Sequence, residues 1–167
     1  MDFRLKKITI FTGSRADYSL LKPLISLFKE DKEIDLNLIV SGSHLSREFG
    51  NTWKEIKKDG FNINFKIRIL TKSDSPSGIL ESMSNGLKKI ANVFEEDRPH
   101  LLLVLGDRYE AMVASQAAMI FKIPIAHIHG GESTFGLIDE AIRHSITKMS
   151  HLHFAATENY KKRIIQL

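Results

Sequence analysis

The sequence predicts an α/β domain with a doubly wound, Rossmann-like parallel sheet. Two short apolar runs, Leu101–Leu105 and Ile123–Ile128, are typical of strands that are buried on both faces. Segments with helical spacing of apolar residues separate these and further strand-like runs. Strands that alternate with helices form a parallel sheet, because each right-handed crossover returns the chain to the same edge. In such a sheet, ligands bind at the carboxyl ends of the strands.

The first part of the chain contains three predicted strands and three predicted helices. In chain order the strands are Lys7–Thr12, Leu36–Val40 and the alternating edge strand Ile63–Leu70. The helices are a segment carrying Tyr18 to Phe28, the charged segment Ser46–Lys58, and Ile79–Glu96 after a polar loop at Thr71–Gly78. In the last of these helices we expect the following side chains inside: Leu80, Met83, Leu87, Ile90 and Phe94.

The second part of the chain continues the alternation. It is predicted to contain the strand at Leu101, a helix at Tyr109–Phe121, the strand at Ile123, a helix at Ile138–Met149, a strand at His151–Ala155 and the start of a helix at Thr157–Leu167. In the helix Ile138–Met149, helical spacing places Ile138, Ile142 and Ile146 on one side. The same spacing predicts the ion pairs Asp139–Arg143 and Glu140–His144.

Composition limits the classes of function. The 167 residues suit one domain, and a net charge of +4 without a block of like charges argues against a nucleic-acid tail but suits an anionic substrate. The absence of cysteine excludes disulfides and cysteine-ligated metals and is compatible with the cytoplasm. No apolar run approaches the roughly 18 residues that span a bilayer. We therefore expect a cytoplasmic protein without membrane or nucleic-acid partners. The last predicted helix lacks an exit signal, so we also expect a fragment or one lobe of a larger enzyme.

The first strand-to-helix turn is a candidate anion site. Gly13, Ser14 and Arg15 follow the first strand, and backbone amides at a helix N-terminus favour phosphate. Arg15 would add a charge-assisted bond to it. The turn matches neither G-x-G-x-x-G nor a P-loop. The alternative is a tight turn in which Ser14 or Asp17 lies near the helix start.

The residues after the most apolar strand are candidates for acid–base chemistry. Asp107, Arg108 and Glu110 follow Leu101–Leu105, where the carboxyl edge of the sheet would place them beside a ligand. Asp107 would otherwise be a simple helix cap, and Arg108 and Glu110 no more than a surface ion pair.

Two histidines follow the next strand. His127 and His129 are two residues apart, so a strand would place both on one face, and Glu132 or Asp139 would complete a zinc site. No H-E-x-x-H or cysteine pattern supports zinc, and we expect no metal. The glycines at 130 and 131 would instead let the backbone approach a ligand closely.

Four motifs together resemble the hydrolysing UDP-N-acetylglucosamine 2-epimerase family, including its sialic-acid and legionaminic-acid branches. They are T-G-S-R-A-D-Y at 12–18, G-D-R-Y-E at 106–110, H-I-H-G-G-E at 127–132 and I-D-E-A-I-R-H-S-I-T-K at 138–148. The resemblance spans nearly the whole chain but only the N-terminal half of family members. It implies that residues 1–167 form the N-terminal Rossmann-like domain of a two-domain GT-B fold, with the C-terminal domain absent and the active site between the domains.

The resemblance also implies a reaction and roles for the residues. UDP leaves C1 while a base removes the C2 proton, giving a glycal-like intermediate. Water then adds at C1 and a proton returns to the opposite face of C2, so the product is N-acetylmannosamine or a related sugar. Asp107 and Asp139 match catalytic carboxylates, either His129 or Glu132 supplies a further acid or base, and Arg15 matches an arginine near the diphosphate. Further expected substrate contacts are Arg108, Glu140, Arg143 and His144, and no cofactor is implied.

Three alternatives remain open on the sequence. In the first, the substrate is a UDP-diacetamido-trideoxyhexose of legionaminic-acid synthesis in place of UDP-N-acetylglucosamine. In the second, the domain binds nucleotide sugars without catalysis. In the third, it is a metal-dependent hydrolase that uses the two histidines. We expect the isolated lobe to be inactive and to self-associate, as a dimer, through its exposed edge.

Overall fold

The computed structural model describes residues 5–167, and at its centre lies a sheet of six parallel strands. The strands are β1 (Lys6–Thr12), β2 (Ile34–Ser41), β3 (Phe65–Ile67), β4 (Leu101–Leu105), β5 (Ile125–Ile128) and β6 (Leu152–Phe154). Their order in the sheet is β3-β2-β1-β4-β5-β6, and every neighbouring pair is parallel. The prediction of a doubly wound Rossmann-like sheet is confirmed.

Helices connect the strands and cover both faces of the sheet. They are α1 (Arg15–Glu30), α2 (Trp53–Lys58), α3 (Pro76–Glu96), α4 (Tyr109–Ile120), α5 (Ile138–Met149) and α6 (Glu158–Gln166), with a 3-10 turn at Gly42–Leu45. Within residues 5–167, no helix has the length and apolar character needed to cross a membrane.

The core consists of two apolar layers, one on each face of the sheet. Leu102 and Val104 point into the layer under α3, α4 and α5, whereas Leu103 points into the layer under α1 and α2. This alternation follows the two-residue period of a strand. Complete burial of each large apolar side chain contributes about 1.5–3 kcal/mol, so both layers hold the central strands and their carboxyl ends in place.

The start of α1 is fixed by a capping box. The Ser14 hydroxyl accepts a hydrogen bond from the backbone N–H of Asp17 at 3.2 Å, and the Asp17 carboxylate accepts the N–H groups of Gly13 and Ser14 at 3.0 Å. The alternative interpretation of this turn, with Ser14 and Asp17 at the helix start, is confirmed.

Three predicted segments differ from the structure by several residues. The segment from Ser46 is not helical until Trp53, because Gly50 and Asn51 have φ angles of 81° and 51° and interrupt it. The edge strand is limited to Phe65–Ile67. The polar loop before α3 ends earlier than predicted, since Ser75 caps the helix and Pro76 occupies its first turn.

The inward face of α3 was also predicted incorrectly in part. Ile90 and Phe94 are buried as expected, but Leu80 is 65% exposed and Leu87 is 36% exposed. Gly86 and other small residues take the core face, because α4 approaches so closely that a Cβ on Gly86 would lie 2.8 Å from the Val113 side chain. Small residues therefore set the distance between these two helices.

The strand order reverses direction between β1 and β4. From β1 the chain moves outward to β2 and β3, and from β4 it moves outward to β5 and β6 on the other side. The crossovers therefore diverge at the carboxyl ends of β1 and β4 and leave a crevice there. The loops that follow β1, β2, β4 and β5 all reach this edge of the sheet.

Candidate active site

An arginine of α5 joins the ends of two strands. Arg143 is only 6% exposed, and its Nη2 donates a hydrogen bond to Asp107, which directly follows β4. Its Nη1 lies 3.9 Å from an oxygen of Glu132, in the loop after β5. Asp107 and Glu132 are thus gathered beside one buried cation.

The predicted pair Asp139–Arg143 is wrong. Arg143 reaches across to Asp107 because the face of α5 that carries it is turned toward the sheet, where Ile142 and Ile146 are buried. Ile138 was predicted to share that side, but it is 75% exposed. Asp139 lies half-buried in the first turn of α5.

The structural alternatives for Asp107 and Arg108, a helix cap and a surface ion pair, do not fit the structure. The N-cap of α4 is Arg108, without a side-chain capping bond, and Asp107 turns instead to Arg143. Arg108 donates to Glu110 at 3.2 Å, and the Glu110 side chain is 0% exposed. The pair is therefore not a surface ion pair, since one partner lies inside the protein.

His129 and Glu132 form a hydrogen-bonded pair at the end of β5. The distance between His129 Nδ1 and Glu132 Oε1 is 2.6 Å, and both side chains keep partial access to solvent. A carboxylate accepts, so Nδ1 carries the proton and Nε2 of the neutral ring is the nitrogen that can take one up. The φ angle of His129 is 63°, a left-handed conformation that turns the imidazole away from the direction of the strand.

His127 has a structural position. Its Nε2 lies 2.7 Å from the carbonyl of Gly106 and must donate, so Nδ1 accepts from the Thr147 hydroxyl at 3.2 Å. Burial lowers the pKa of His127 to about 4, and the ring is neutral at physiological pH. The expectation that His127 and His129 share a face is wrong. Among residues 5–167, no group of three or more His, Cys, Asp or Glu side chains is placed to hold a metal ion.

At the two glycines after His129, other residues of the protein pack closely against the backbone. A Cβ on Gly131 would lie 2.3 Å from the backbone oxygen of Tyr160 in α6, and Arg163 donates to the Gly131 carbonyl at 2.6 Å. A Cβ on Gly130 would lie 3.0 Å from the His127 ring. These glycines therefore allow α6 and β5 to hold the loop that presents His129 and Glu132.

Glu140 and His144 support the neighbouring loop. Glu140 accepts hydrogen bonds from the Ser133 hydroxyl and from the Thr134 N–H at 2.9 Å, and it lies 3.5 Å from His144, as the helical spacing predicted. Burial raises the pKa of Glu140, but these hydrogen bonds outweigh it and hold the pKa below its ordinary value. Both were predicted to contact substrate, whereas in the structure their bonds close the loop before α5.

Arg15 lies apart from the cluster around Arg143. It is at the first turn of α1, where it forms an exposed ion pair with Glu55 at 3.2 Å. An exposed pair of this kind stabilises the fold little, so a ligand phosphate can compete for the guanidinium. Arg15 and Arg108 follow β1 and β4, on either side of the crevice.

The chain matches the model of one protein family over most of its length. Residues 27–167 match the family described as UDP-N-acetylglucosamine 2-epimerase. The chain belongs to this family. This agrees with the resemblance carried by the four sequence motifs.

The chain is similar along nearly its whole length to several known proteins. It is 44% identical, over 97% of its length, to the GDP/UDP-N,N'-diacetylbacillosamine 2-epimerase (hydrolyzing) of Campylobacter jejuni, and 46% identical, over 98%, to the polysialic acid biosynthesis protein P7 of Escherichia coli. It spans 42% of the length of each. A crystal structure of UDP-GlcNAc 2-epimerase from Neisseria meningitidis bound to UDP-GlcNAc has a TM-score of 0.83 at 25% identity, covering 97% of this chain and 43% of that one. The fold is one lobe of the GT-B architecture.

The candidate site has two parts. Asp107, His129, Glu132 and Arg143 lie together at the ends of β4 and β5, whereas Arg15 and Arg108 lie on the two sides of the crevice, after β1 and β4. Sequence reasoning did not identify the Asp107–Arg143 pair or the burial of Glu110. The burial of Glu110 could have been predicted from the sequence of α4. This helix is apolar on all sides, and a helix of this kind is buried, so its single acidic residue lies inside the protein.

Proposed function

We propose that this chain is the N-terminal lobe, residues 1–167, of a hydrolysing 2-epimerase that converts a UDP-linked 2-acetamido sugar to UDP and the free 2-epimer. The observation that carries the proposal is the cluster of Asp107, His129 and Glu132 around Arg143 at the carboxyl edge of the sheet. Membership of the epimerase family supports it, and so do the printed names of the hydrolysing relatives.

The first chemical step is an elimination. The bond between C1 and the UDP oxygen breaks with its electron pair going to UDP, while a base takes the proton from C2 and a C1–C2 double bond forms. In this scheme His129 is the base, since its Nδ1–H is held by Glu132 and its Nε2 remains able to accept a proton. Glu132 orients the ring and stabilises the imidazolium that results.

The second step restores the sugar with inverted configuration at C2. A water oxygen bonds to C1 and the water gives up one proton to a carboxylate. The C1–C2 double bond takes up a proton at C2 on the face opposite to the one from which the first was removed. The proposed carboxylates of this step are Asp107, which follows β4, and Asp139, in the first turn of α5. Arg143 donates a hydrogen bond to Asp107 and so holds this carboxyl group in place at the end of β4.

Positive charge beside the first strand suits the leaving group. Arg15 and the N-terminus of α1 lie at the carboxyl end of β1, where they would receive the diphosphate. Neutralising charge on the departing UDP lowers the barrier to elimination. The diphosphate would thus lie at the crevice between β1 and β4, and the sugar over β4 and β5.

Two sugars are candidates, each with an observation in its favour. The identity of 44% to a diacetylbacillosamine 2-epimerase favours a UDP-diacetamido-trideoxyhexose. The identity of 46% to a polysialic acid biosynthesis protein, and the likeness to an epimerase bound to UDP-GlcNAc, favour UDP-N-acetylglucosamine and the sialic-acid route.

The test uses the full-length gene product and both sugar nucleotides. UDP release is followed continuously, and the free sugar is identified by NMR. We expect release of UDP with a 2-epimerised sugar, and the ratio of kcat/KM for the two substrates identifies the sugar. Binding of either substrate without UDP release would favour a non-catalytic binding domain. Activity that is lost on chelation and restored by a metal would favour a metal-dependent hydrolase.

A further inference from the structure

A buried carboxylate lies directly below the crevice between β1 and β4. The Glu110 side chain, in the first turn of α4, is 0% exposed. Its Oε1 accepts a hydrogen bond from Arg108 at 3.2 Å. The arginine side chain is 45% exposed, so its guanidinium lies between the buried carboxylate and solvent. This pair is separate from the cluster around Arg143.

Two loops are packed closely against Glu110. A Cβ on Gly42, in the turn after β2, would lie 2.9 Å from Glu110 Oε1 and 2.5 Å from the carbonyl of Gly13. A Cβ on Gly13, after β1, would lie 3.5 Å from the Glu110 Cβ. The carboxylate is therefore enclosed by the loops at the ends of β1, β2 and β4, and its position is fixed.

The burial of Glu110 is not explained by stability alone. Its Oε2 is buried without a hydrogen-bond partner among residues 5–167, and an unsatisfied buried charge costs free energy. An apolar or amide side chain of similar size would avoid this cost. The same charge beside Arg108 favours the charged guanidinium: burial lowers the pKa of Arg108, but the attraction of Glu110 outweighs it and the pKa is raised.

We infer that Glu110 is a positioning residue that holds the Arg108 guanidinium over the crevice, where Arg108 binds the diphosphate of the nucleotide sugar. This inference rests on the proposed function for the identity of the ligand. A carboxylate below an arginine restricts its rotamers before the ligand arrives, so less conformational entropy is lost on binding. The free guanidinium N–H groups remain available to phosphate oxygens, which match their planar geometry.

The test measures UDP binding by isothermal titration calorimetry in the full-length gene product. Glu110→Gln keeps the shape and one acceptor oxygen but removes the charge. We expect it to raise the Kd for UDP about tenfold, the scale of one charge-assisted hydrogen bond. Arg108→Gln should raise the Kd at least as much, and in that background Glu110→Gln should add less than about twofold. The matched control is Glu158→Gln, which removes a surface partner of Lys161 and should leave the Kd unchanged.

Turnover separates this inference from the proposed function. In the Glu110→Gln variant we expect KM for the sugar nucleotide to rise about tenfold with little change in kcat, and the melting temperature to be unchanged or higher. The inference is overturned if Glu110→Gln leaves the Kd for UDP within twofold of that of the unchanged protein. It is also overturned if Glu110→Gln raises the Kd by the same factor in the Arg108→Gln background. Should Glu110→Gln not fold, normal UDP binding by Arg108→Gln alone overturns it. UDP binding without turnover of any UDP-sugar would contradict the proposed function, and the UDP measurements would still decide the role of Glu110.

Discussion

Single side chains decide the chemistry of this edge of the sheet, and Asp107 depends on one partner in particular. Arg143 is buried and donates a hydrogen bond to Asp107, while also lying near Glu132. Sequence spacing suggested Asp139 as the partner of Arg143, because spacing predicts pairs only between near neighbours, such as residues i and i+4 on a helix. The pair that forms instead joins residues 36 positions apart, which only the packing of α5 on the sheet determines.

Replacing Asp107 tests whether its carboxylate takes part in the reaction. In the full-length protein we expect Asp107→Asn to lower turnover by at least about a hundredfold, a typical scale for losing a general acid or base. The amide keeps an oxygen that can accept from Arg143, so the melting temperature should fall by only a few degrees. Steady-state kinetics and thermal melting measure the two effects. Asp31→Asn, at the opposite edge of the sheet, is the control. Near-unchanged turnover would return Asp107 to a purely structural role.

The pair of His129 and Glu132 gives a prediction about pH. If His129 is the base, protonation of Nε2 removes its function, so kcat/KM should fall as the pH is lowered into the acid range. His129→Gln should lower turnover by about a hundredfold and abolish this acid limb, whereas Glu132→Gln should cost only about tenfold through loss of ring orientation. His151→Gln serves as the control. An acid limb that persists in His129→Gln, or a greater loss in Glu132→Gln, would assign the proton transfer to Glu132.

At the scale of elements, the sequence predicts the type of each helix and strand better than it predicts contacts between them. The strand at Leu101–Leu105 and the helix at Ile138–Met149 were predicted with the bounds that the structure has, since long apolar or periodic segments carry strong signals. The exposure of Leu80 was not predicted, because the choice of face on α3 depends on how closely α4 approaches. The enclosure of Glu110 by three loops is likewise a result of the assembled sheet.

The contact between β5 and α5 makes stability depend on pH. His127 bonds to both Gly106 and Thr147, and burial lowers its pKa from 6.5 to about 4. A second buried histidine, His44 in the 3-10 turn after β2, has its pKa lowered to about 4 in the same way. Between these values the unfolded chain binds protons that the folded chain does not. Stability is therefore fully present above pH 6.5 and falls as the pH decreases toward 4, by about 3 kcal/mol for each histidine.

Urea denaturation of the 167-residue chain between pH 8 and pH 5 measures this dependence. His127→Gln keeps a donor for the Gly106 carbonyl. Since His127 and His44 contribute about equally, this variant should lose only about half as much stability on acidification as the unchanged chain. His100→Gln, an exposed histidine at the other edge of the sheet, should leave the pH profile unchanged. A His127→Gln profile parallel to that of the unchanged chain would contradict the assignment of a buried neutral imidazole.

At the scale of the whole molecule, the candidate site is open. The side chains of Asp107, His129 and Glu132 are 23%, 35% and 27% exposed at the edge of the sheet. The chain spans about 42% of the length of its relatives, and in the GT-B arrangement that the fold matches, a second lobe faces the first across the cleft. Removal and return of a proton at C2 require groups that are held in position and water that is controlled. One lobe provides only part of that enclosure.

The isolated 167-residue chain should therefore fold but not catalyse. Its two apolar layers suffice for a cooperative urea transition. A sugar bound to this one lobe would be covered by protein on one side and open to water on the other. The measurement is incubation with UDP-N-acetylglucosamine, and with the UDP-diacetamido sugar, in heavy water, followed by NMR of the C2 position. We expect no deuterium at C2 and no free 2-epimer above background, whereas the full-length gene product under the same conditions should give both. Deuterium incorporation by the 167-residue chain at the full-length rate would contradict this, because the site would then be complete within one lobe or within its homo-oligomer, a case that sedimentation at the assay concentration would distinguish.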